Sequence, residues 1–321
     1  MKTETRKMVI AGGNGFLGRL LARYFREKGW EVSALVRDPA GDFERVKGVR
    51  YMGWDGGTLG DWVEVLEGAE LVVNLAGRTV NCRYGRKHRE EILRSRVEST
   101  RALGEAVAAC GKPPRLWINS STATIYRHAE DGPQDERTGE IGKGFSVEVA
   151  QAWERAFFQA SVPGAVRKVA LRTSMVVARE KGTVFDYLFT LSRWGLGGRM
   201  GSGRQRVSWV SGTDFCRVVA WCVENEGAEG IYNVVAPGVV TNAEWMAAFR
   251  RVAGRGWGLP ATRWMLELGA FLLRTETELI LKSRWVEARR LREEGFVFHD
   301  PELERVLEGR AIRENQFPES D

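Results

Sequence analysis

Four glycines lie close together near the start of the chain, in the run Gly12, Gly13, Asn14, Gly15, Phe16, Leu17 and Gly18. Apolar residues 8–11 before the run predict a strand, and residues 16–28 predict a helix. Glycine suits a tight turn at which a Cβ would block an approaching anion, and a helix start attracts that anion. The run therefore predicts a turn that binds a dinucleotide diphosphate, either as GxGxxG from Gly13 or as GxxGxxG from Gly12.

The end of the second predicted strand, residues 31–36, should select between the two nicotinamide dinucleotides. In NAD-binding proteins an acidic residue at the end of this strand accepts the hydroxyls of the adenosine ribose. If Val36 holds that position, the guanidinium of the neighbouring Arg37 is free to pair with a 2′-phosphate, which favours NADP. If the register slips by two, Asp38 faces the ribose and NAD is favoured. We predict NADP, with NAD as the alternative. Asp55, after the third strand, is placed either to meet the adenine edge or to cap its own loop.

The composition is that of a large folded chain. Its 321 residues are 43% hydrophobic and 28% charged, which allows a sizeable core and excludes a disordered or fibrous protein. The net charge of +6 raises the question of nucleic acid, but arginine alternates with acidic residues, as in 289–294, so we predict solvated helix faces and no nucleic-acid partner. Residues 264–273 form the best apolar run but include Glu267, so we expect no membrane span.

The cysteines and histidines do not show the spacing of a metal site. The four cysteines, at positions 82, 110, 216 and 222, lack CxxC spacing, and the three histidines lack partners for metal or nucleophilic chemistry. The charged residues 1–7 do not fit a secretory signal. We therefore expect reduced core thiols in a cytoplasmic protein without a metal site.

The first half of the chain alternates short apolar runs with helical patterns. The predicted strands are residues 8–11, 31–36, 49–52, 71–75, 116–119 and 168–171, and the longest predicted helices are 87–110 and 145–160. Parallel strands joined by helices fold right-handedly into a doubly wound sheet. The predicted fold class is α/β, Rossmann-like.

The regular alternation ends after Arg172. The glycine-rich residues 195–203 predict a functional loop. A helix over 214–225, a strand over 231–235 and a capping box at 241–244 that starts a helix follow. We expect residues 260–309 to be mostly helical. The predicted division is a cofactor domain of residues 1–172 to which 207–235 return, a substrate-side lobe of 173–206 and 236–310, and a flexible tail of 311–321.

These motifs resemble those of a known family. The glycine run, Asn74-Leu75-Ala76-Gly77 and Ser120-Ser121-Thr122-Ala123 are similar to an extended short-chain dehydrogenase/reductase. More narrowly, the chain resembles the atypical NAD(P)-dependent epimerase/dehydratase-like subfamily, whose members are often described as sugar-nucleotide epimerases or cell-division inhibitors. Further segments that carry the resemblance are 95–100, 153–154, 197–205, 208–210, 233–237, 241–244 and 295–298. The resemblance implies a smaller, mostly helical C-terminal lobe, a small polar or sugar-nucleotide-like substrate between the lobes, NADP more often than NAD, and a homodimer.

The resemblance also implies roles for residues at the carboxyl ends of the strands. Leu75, Ala76, Gly77, Ser120 and Arg172 would line the cofactor, and Thr122 would orient the reacting oxygen. The wider superfamily uses a Tyr-x-x-x-Lys pair as its acid/base, but residues 145–154 contain neither tyrosine nor lysine. The pair Tyr24 and Lys28 lies on the first helix, where we predict an ordinary surface contact.

Other side chains are candidates to complete the site. Tyr126 is placed either at the mouth of the cleft, as a replacement acid, or as an aromatic that packs on the lobe. Glu148 is a second candidate acid or a solvated helix residue. The candidate substrate-binding residues are Arg83, Tyr84, Lys87, Arg204, Gln205 and Trp209. The sequence predicts an epimerase or oxidoreductase, with a non-catalytic NADP-binding redox sensor or regulator as the alternative.

Overall fold

The computed structural model describes residues 5–262, 264–267 and 281–309. The predicted tail 311–321 and residues 268–280 of the predicted helical stretch lie outside these ranges. In chain order the described strands are β1 (Lys7–Ala11), β2 (Glu31–Val36), β3 (Arg50–Gly53), β4 (Leu71–Asn74), β5 (Leu116–Thr122), β6 (Arg167–Thr173), β7 (Met175–Val177), β8 (Arg206–Val207), β9 (Trp209–Ser211), β10 (Gly230–Val234) and β11 (Val240–Thr241).

Seven of these strands form one parallel sheet in the described part of the chain, in the order β10-β6-β5-β4-β1-β2-β3. The order runs outward in opposite directions from the neighbours β1 and β4. Ligands of such sheets bind where the order reverses, at the carboxyl ends of the strands. The predicted Rossmann-like parallel sheet is confirmed, and its binding crevice is expected above β1 and β4.

Helices cover both faces of the sheet. The described helices are α1 (Phe16–Glu27), α2 (Arg86–Ala109), α3 (Phe145–Gln159), α4 (Val184–Arg193), α5 (Gly212–Glu224), α6 (Asn242–Val252), α7 (Arg289–Glu293) and α8 (Leu303–Glu308). Alternate residues of β1 face the two layers: Ile10 joins the core that holds Phe25 of α1, and Val9 joins the core that holds Leu103 of α2. This alternation fixes the register of the strand, because a slip by one residue would exchange the two faces.

A second lobe has a core of its own. It combines α4, α6 and α8 with the pairs β7–β9 and β8–β11. Its core residues are Val177, Phe185, Met200, Trp209, Ala236, Trp245, Met246, Ala248, Phe249, Leu303, Val306 and Leu307. The predicted capping box is confirmed, since the Thr241 hydroxyl accepts from the Glu244 N–H at 3.2 Å and Glu244 accepts from the Thr241 N–H at 2.7 Å.

The segment 281–287, which we call the return segment, is helical only at Leu281 and otherwise runs extended between the two halves of the molecule. The Gln134 N–H donates to the Trp285 carbonyl at 2.8 Å, and the Arg284 N–H donates to the Arg206 carbonyl at 2.8 Å. The Ser208 hydroxyl also donates to the Arg284 carbonyl at 2.7 Å. The expectation of a mostly helical 260–309 is therefore wrong for residues 281–309, where two short helices, α7 and α8, follow an extended segment.

Candidate functional site

The glycine turn joins β1 to α1 at the point where the strand order reverses. Gly12 has φ +81°, and a Cβ there would lie 3.1 Å from the backbone of Leu75 and Ala76 in the next strand's loop. The Gly12 N–H donates to the Leu35 carbonyl at 3.0 Å, and the Leu75 N–H donates to the Ala11 carbonyl at 2.9 Å. The turn is therefore packed closely between the ends of β2 and β4, and only glycine fits at position 12.

The start of α1 is open. The N-cap residue, Gly15, is exposed, and no side chain caps this end of the helix. The first N–H groups of a helix have no partners within the helix, so they point toward the crevice with the positive end of the helix dipole. Gly18 lies one turn on, where a Cβ would come within 2.6 Å of the Gly12 carbonyl oxygen. The seven residues predicted to hold a diphosphate thus form one continuous cradle that fits that group.

On the other side of β1, the predicted cofactor-binding residues follow β2 and β3. Arg37, directly after β2, is exposed and makes no hydrogen bond or ion pair within the described part of the chain. Asp38 instead accepts from the Ala40 N–H at 2.9 Å, so its carboxylate serves its own turn. Asp55 likewise accepts from the N–H groups of Gly57 and Thr58, at 2.8 and 2.9 Å. Hydrogen bonds from Thr58 lower the pKa of Asp55. The loop-capping role of Asp55 is present, and its contact with adenine stays a prediction.

Buried amides hold the carboxyl ends of β4 and β5 together. The Asn74 side chain donates to Asn119 Oδ1 at 2.8 Å and to the Thr100 hydroxyl of α2 at 3.1 Å. Asn74 Oδ1 accepts from the Ala76 N–H at 3.0 Å, which fixes the start of the loop that holds Leu75, Ala76 and Gly77. Trp153 of α3 donates its indole N–H to Thr100 at 3.0 Å. A satisfied buried network of this kind makes the cofactor-side loop rigid.

The end of β5 carries Ser120 and Thr122, both half-buried. The Thr122 hydroxyl accepts from the Thr124 N–H at 3.1 Å and caps a 3₁₀ turn, Ala123–Ile125. The return segment closes over this turn, because Lys282 Nζ donates to the Thr124 carbonyl at 2.8 Å and Arg284 Nε donates to the Thr124 hydroxyl at 3.2 Å. Basic side chains of the return segment therefore stand beside the residue predicted to orient the reacting oxygen.

The prediction of Tyr126 at the mouth of the cleft is wrong. Its side chain is 1% exposed, donates its hydroxyl proton to Asn233 Oδ1 at 3.0 Å and accepts from Arg172 Nη1 at 2.9 Å. Burial raises the pKa of Tyr126, although Arg172 acts in the opposite direction. The ring belongs to the core that also holds Ile10 and Phe25, so the alternative of an aromatic that packs on the lobe does not describe it either.

Arg172 was predicted to reach the cofactor, and the structure corrects this. It is 7% exposed, and its Nε and Nη2 donate to the two carboxylate oxygens of Glu154 on α3, both at 2.8 Å. Burial opposes its charged form, but Glu154 outweighs that effect and raises the pKa of Arg172. The Ser121 hydroxyl donates to the same carboxylate at 2.6 Å. The guanidinium makes its hydrogen bonds to Glu154 and Tyr126 within the protein, so Arg172 is a structural residue.

Two of the predicted substrate-binding residues in the second lobe are also wrong. Gln205 is 3% exposed, and its amide donates to the Met200 carbonyl at 2.8 Å, which closes the glycine-rich loop on itself. Trp209 is fully buried in the second core, and its indole N–H donates to the Gly238 carbonyl at 2.6 Å. Arg204 is exposed on the same loop, so its role stays a prediction.

Of the three candidates after β4, Arg83 and Tyr84 lie on the loop that leads into α2, and Lys87 lies in the first turn of that helix. The Tyr84 ring packs edge-on against Phe145, the first residue of α3, with centroids 5.0 Å apart. The Arg83 carbonyl lies 2.8 Å from Nδ1 of His88, and Lys87 is exposed. Tyr84 therefore joins the loop after β4 to the helix after β5, at the carboxyl edge of the sheet.

The acid/base pair of the wider superfamily has no counterpart on α3. The surface contact predicted for Tyr24 and Lys28 on α1 is present, since Lys28 Nζ lies 5.0 Å from the Tyr24 ring centroid. Burial raises the pKa of Tyr24 to about 12, the opposite of what an acid/base needs near neutral pH.

Within residues 5–262, 264–267 and 281–309, no group of three or more His, Cys, Asp or Glu side chains is placed to hold a metal ion. No helix in those ranges is long and apolar enough to span a membrane.

Sequence reasoning missed the polar side chains that shape this edge of the sheet. Asn74, Thr100 and Asn119 received no role, and neither did Glu154 or Arg96. The segments 95–100 and 153–154 did carry the family resemblance, which was the available signal. Their function depends on contacts between distant parts of the chain, which the pattern does not show.

Comparison with known proteins gives consistent matches. The family model described as NAD dependent epimerase/dehydratase family matches residues 8–235, and a model of unknown function, DUF1731, matches residues 261–309. The epimerase family protein ML0860 of Mycobacterium leprae is 30% identical, over 98% of this chain and 100% of its own. The epimerase family protein SDR39U1 of Bos taurus is 29% identical, over 96% and 99%. The crystal structure of human SDR39U1 (isoform 2) with NADPH superimposes with a TM-score of 0.82 at 27% identity, covering 95% of this chain and 99% of that one.

Proposed function

Because this chain belongs to the NAD dependent epimerase/dehydratase family, we propose that it binds NADP and acts as an epimerase or oxidoreductase on a small polar or sugar-nucleotide-like substrate. The observation that carries the proposal is the open cradle at the β1–α1 turn, in which glycines pack tightly and the helix start is uncapped. The human relative solved with NADPH supports the choice of cofactor. A titration of NADPH fluorescence tests binding, and the absence of a saturable change at about millimolar concentration would remove the proposal.

Different residues along the carboxyl edge of the sheet bind different parts of the cofactor and of the substrate. The amides that open α1 bind the diphosphate, and Arg37 pairs with the 2′-phosphate. Leu75, Ala76, Gly77 and Ser120 line the opposite side, where Asn74 holds the loop in place. When bound, a nicotinamide cofactor supplies or accepts the hydride. Thr122 then orients the substrate oxygen, and Lys87, Arg83, Tyr84 and Arg204 contact the substrate.

Arg37 should decide the preference between NADPH and NADH. We expect Arg37→Ala to weaken NADPH binding about tenfold or more and to leave NADH binding nearly unchanged, because a charge-assisted hydrogen bond to phosphate is lost. Fluorescence titration with each cofactor measures both constants. Lys47→Ala, which removes a charge from an exposed site, is the control. Equal losses for the two cofactors would contradict a 2′-phosphate contact.

Thr122 should affect turnover through its hydroxyl. Once a substrate is found in a panel of carbonyl compounds and sugar nucleotides, we expect Thr122→Ala to lower kcat about tenfold to a hundredfold, because an oriented hydrogen bond in the transition state is lost. Thr122→Ser keeps both the hydroxyl and the cap to Thr124 and should stay close to the native rate. Unchanged turnover in Thr122→Ala would exclude the role.

We also propose a homodimer. Helices α2 and α3 pack side by side on the outer face of the sheet and leave a groove of about 480 Å³ between them. Its lining combines small and charged residues, including Gly104, Ala152, Ala156, Arg101 and Arg155. Helix pairing of this kind is implied by the family resemblance.

The remaining expectations stay proposals. A cytoplasmic location is supported by four cysteines that form no disulfide, of which Cys216 and Cys222 are buried. Burial raises the pKa of both thiols, which makes them unreactive.

The division into a cofactor domain and a substrate-side lobe is supported by the separate core of the second lobe. The comparisons give no support to the alternative of a non-catalytic redox sensor or regulator.

A further inference from the structure

Arg96 is a cation at the carboxyl edge of the sheet without an anionic partner. Its Nη1 donates to the carbonyls of Arg78 and Ile92, at 3.0 and 3.1 Å. No carboxylate of the described residues pairs with it. Burial lowers the pKa of Arg96 to about 10, which leaves the guanidinium charged at neutral pH. Arg172, by contrast, is neutralised by Glu154, whereas no carboxylate of the described ranges balances the charge of Arg96.

The position of Arg96 is set by the network below it. Thr100, one helical turn later on the same face of α2, contacts Asn74 and Asn119 at the ends of β4 and β5. One turn advances a helix by about 5.4 Å, so Arg96 stands about that far beyond the ends of the strands. A Cβ at Gly77 would lie 3.1 Å from its guanidinium carbon. Arg96 is therefore level with the loop that should line the cofactor.

The orientation of the guanidinium leaves one edge available. Its carbon lies 5.1 Å from the centroid of the Trp153 ring, which supports one face. Nη1 is occupied by the two carbonyls, whereas Nε and Nη2 have no partner among the described residues and are not sealed from solvent. These two atoms carry parallel N–H donors, the arrangement that binds both oxygens of a carboxylate.

We propose that Arg96 is an anion-binding residue of the active site, whose Nε and Nη2 edge receives a carboxylate carried by the substrate. The proposal rests on the proposed function in one respect. A dinucleotide held at the β1–α1 turn spans the point where the strand order reverses, with its adenosine over β2, so its reacting end lies over β4 and β5. Arg96 stands on that side.

The bonds from Nη1 also hold the loop after β4, so a purely structural role has to be separated from ligand binding. Arg96→Gln removes the charge and the paired donors but keeps an amide that can reach a carbonyl. Arg96→Lys keeps the charge and loses the paired donors. Arg94→Gln removes the same charge from an exposed position of the same helix and is the matched control.

Trp153 provides a local probe that needs no turnover. Protein labelled with 5-fluorotryptophan is titrated with sodium pyruvate, with inorganic phosphate and with sodium chloride at matched ionic strength, and the ¹⁹F resonance of Trp153 is identified from Trp153→Phe. We expect a saturable shift with pyruvate in the native protein and in Arg94→Gln. In Arg96→Gln the apparent affinity should fall about tenfold or more, and Arg96→Lys should be intermediate.

Three results would overturn the proposal in different ways. A shift with phosphate but not with pyruvate would show that the edge receives a phosphoryl group and would exclude the carboxylate. No saturable shift at about 50 mM of either anion, which corresponds to a very weak interaction, would exclude an anion site. An unchanged titration in Arg96→Gln would place the anion elsewhere. Because the titration is done without NADPH and repeated with it, failure of NADPH binding would be seen separately and would leave the result for Arg96 intact.

Discussion

Glu154→Ala is expected to lower the free energy of unfolding by about 3–5 kcal/mol, because it leaves the Arg172 guanidinium buried without a counterion. Both residues are buried, Arg172 at 7% and Glu154 at 8% exposure, and two parallel hydrogen bonds of 2.8 Å join them. The Ser121 hydroxyl loses its acceptor in the same change. Chemical denaturation followed by circular dichroism measures the effect.

A matched control lies on the same helix. Glu148 is exposed on the first turn of α3, and Glu148→Ala should cost no more than about 1 kcal/mol, the effect of one carboxylate near a helix start. Adding Arg172→Met to Glu154→Ala should recover part of the loss, since the unpaired charge is removed as well. If Glu154→Ala and Glu148→Ala lower the free energy of unfolding equally, the buried ion pair contributes no more to stability than an exposed carboxylate.

Gly15→Ala is expected to weaken NADPH binding about tenfold or more while the fold stays intact. Gly15 has φ −71°, which alanine adopts without strain, and a Cβ there meets only the Gly12 carbonyl oxygen, at 3.3 Å. Because the residue is exposed at the opening of α1, the added methyl group would stand where the diphosphate must approach the backbone. NADPH titration measures the loss, and thermal unfolding checks the fold.

Two other glycines separate binding from stability. Gly18→Ala should destabilise the protein, because its Cβ would lie 2.6–2.9 Å from the backbone of Gly12 and Gly13. Gly164, in a loop at the opposite end of the sheet, has no atom within 4 Å of its Cβ position, so Gly164→Ala should change neither property. Native affinity in Gly15→Ala would show that the cofactor does not approach α1 at this residue.

The parts of the fold that depend on neighbouring residues could be predicted from the sequence. The apolar runs of β1, β2 and β4 and the glycine turn between β1 and α1 express local preferences, and the structure places them within one or two residues of expectation. The turn is recognisable because its backbone conformation itself requires glycine, as at Gly12.

Side chains whose surroundings come from distant segments could not be predicted in this way. Tyr126 turns inward because Asn233 of β10 and Arg172 of β6 offer it hydrogen bonds, and both are many residues away in sequence. Trp209 follows a glycine-rich loop, which suggested exposure, but α6 and α8 enclose it in the second core. Arg172 has a carboxylate partner, Glu154 of α3, whereas Arg96 has none among the described residues, and the sequence alone does not show this difference.

The return segment limits how chains of this kind can be rebuilt by recombination. It crosses from the region matched by the second family model to Gln134 and Thr124, which belong to the first. A hybrid gene joined between the two regions would pair a return segment with a foreign loop after β5, leaving its backbone groups without their acceptors and donors. Exchange of the substrate-side half should therefore succeed only when that loop is inherited along with it.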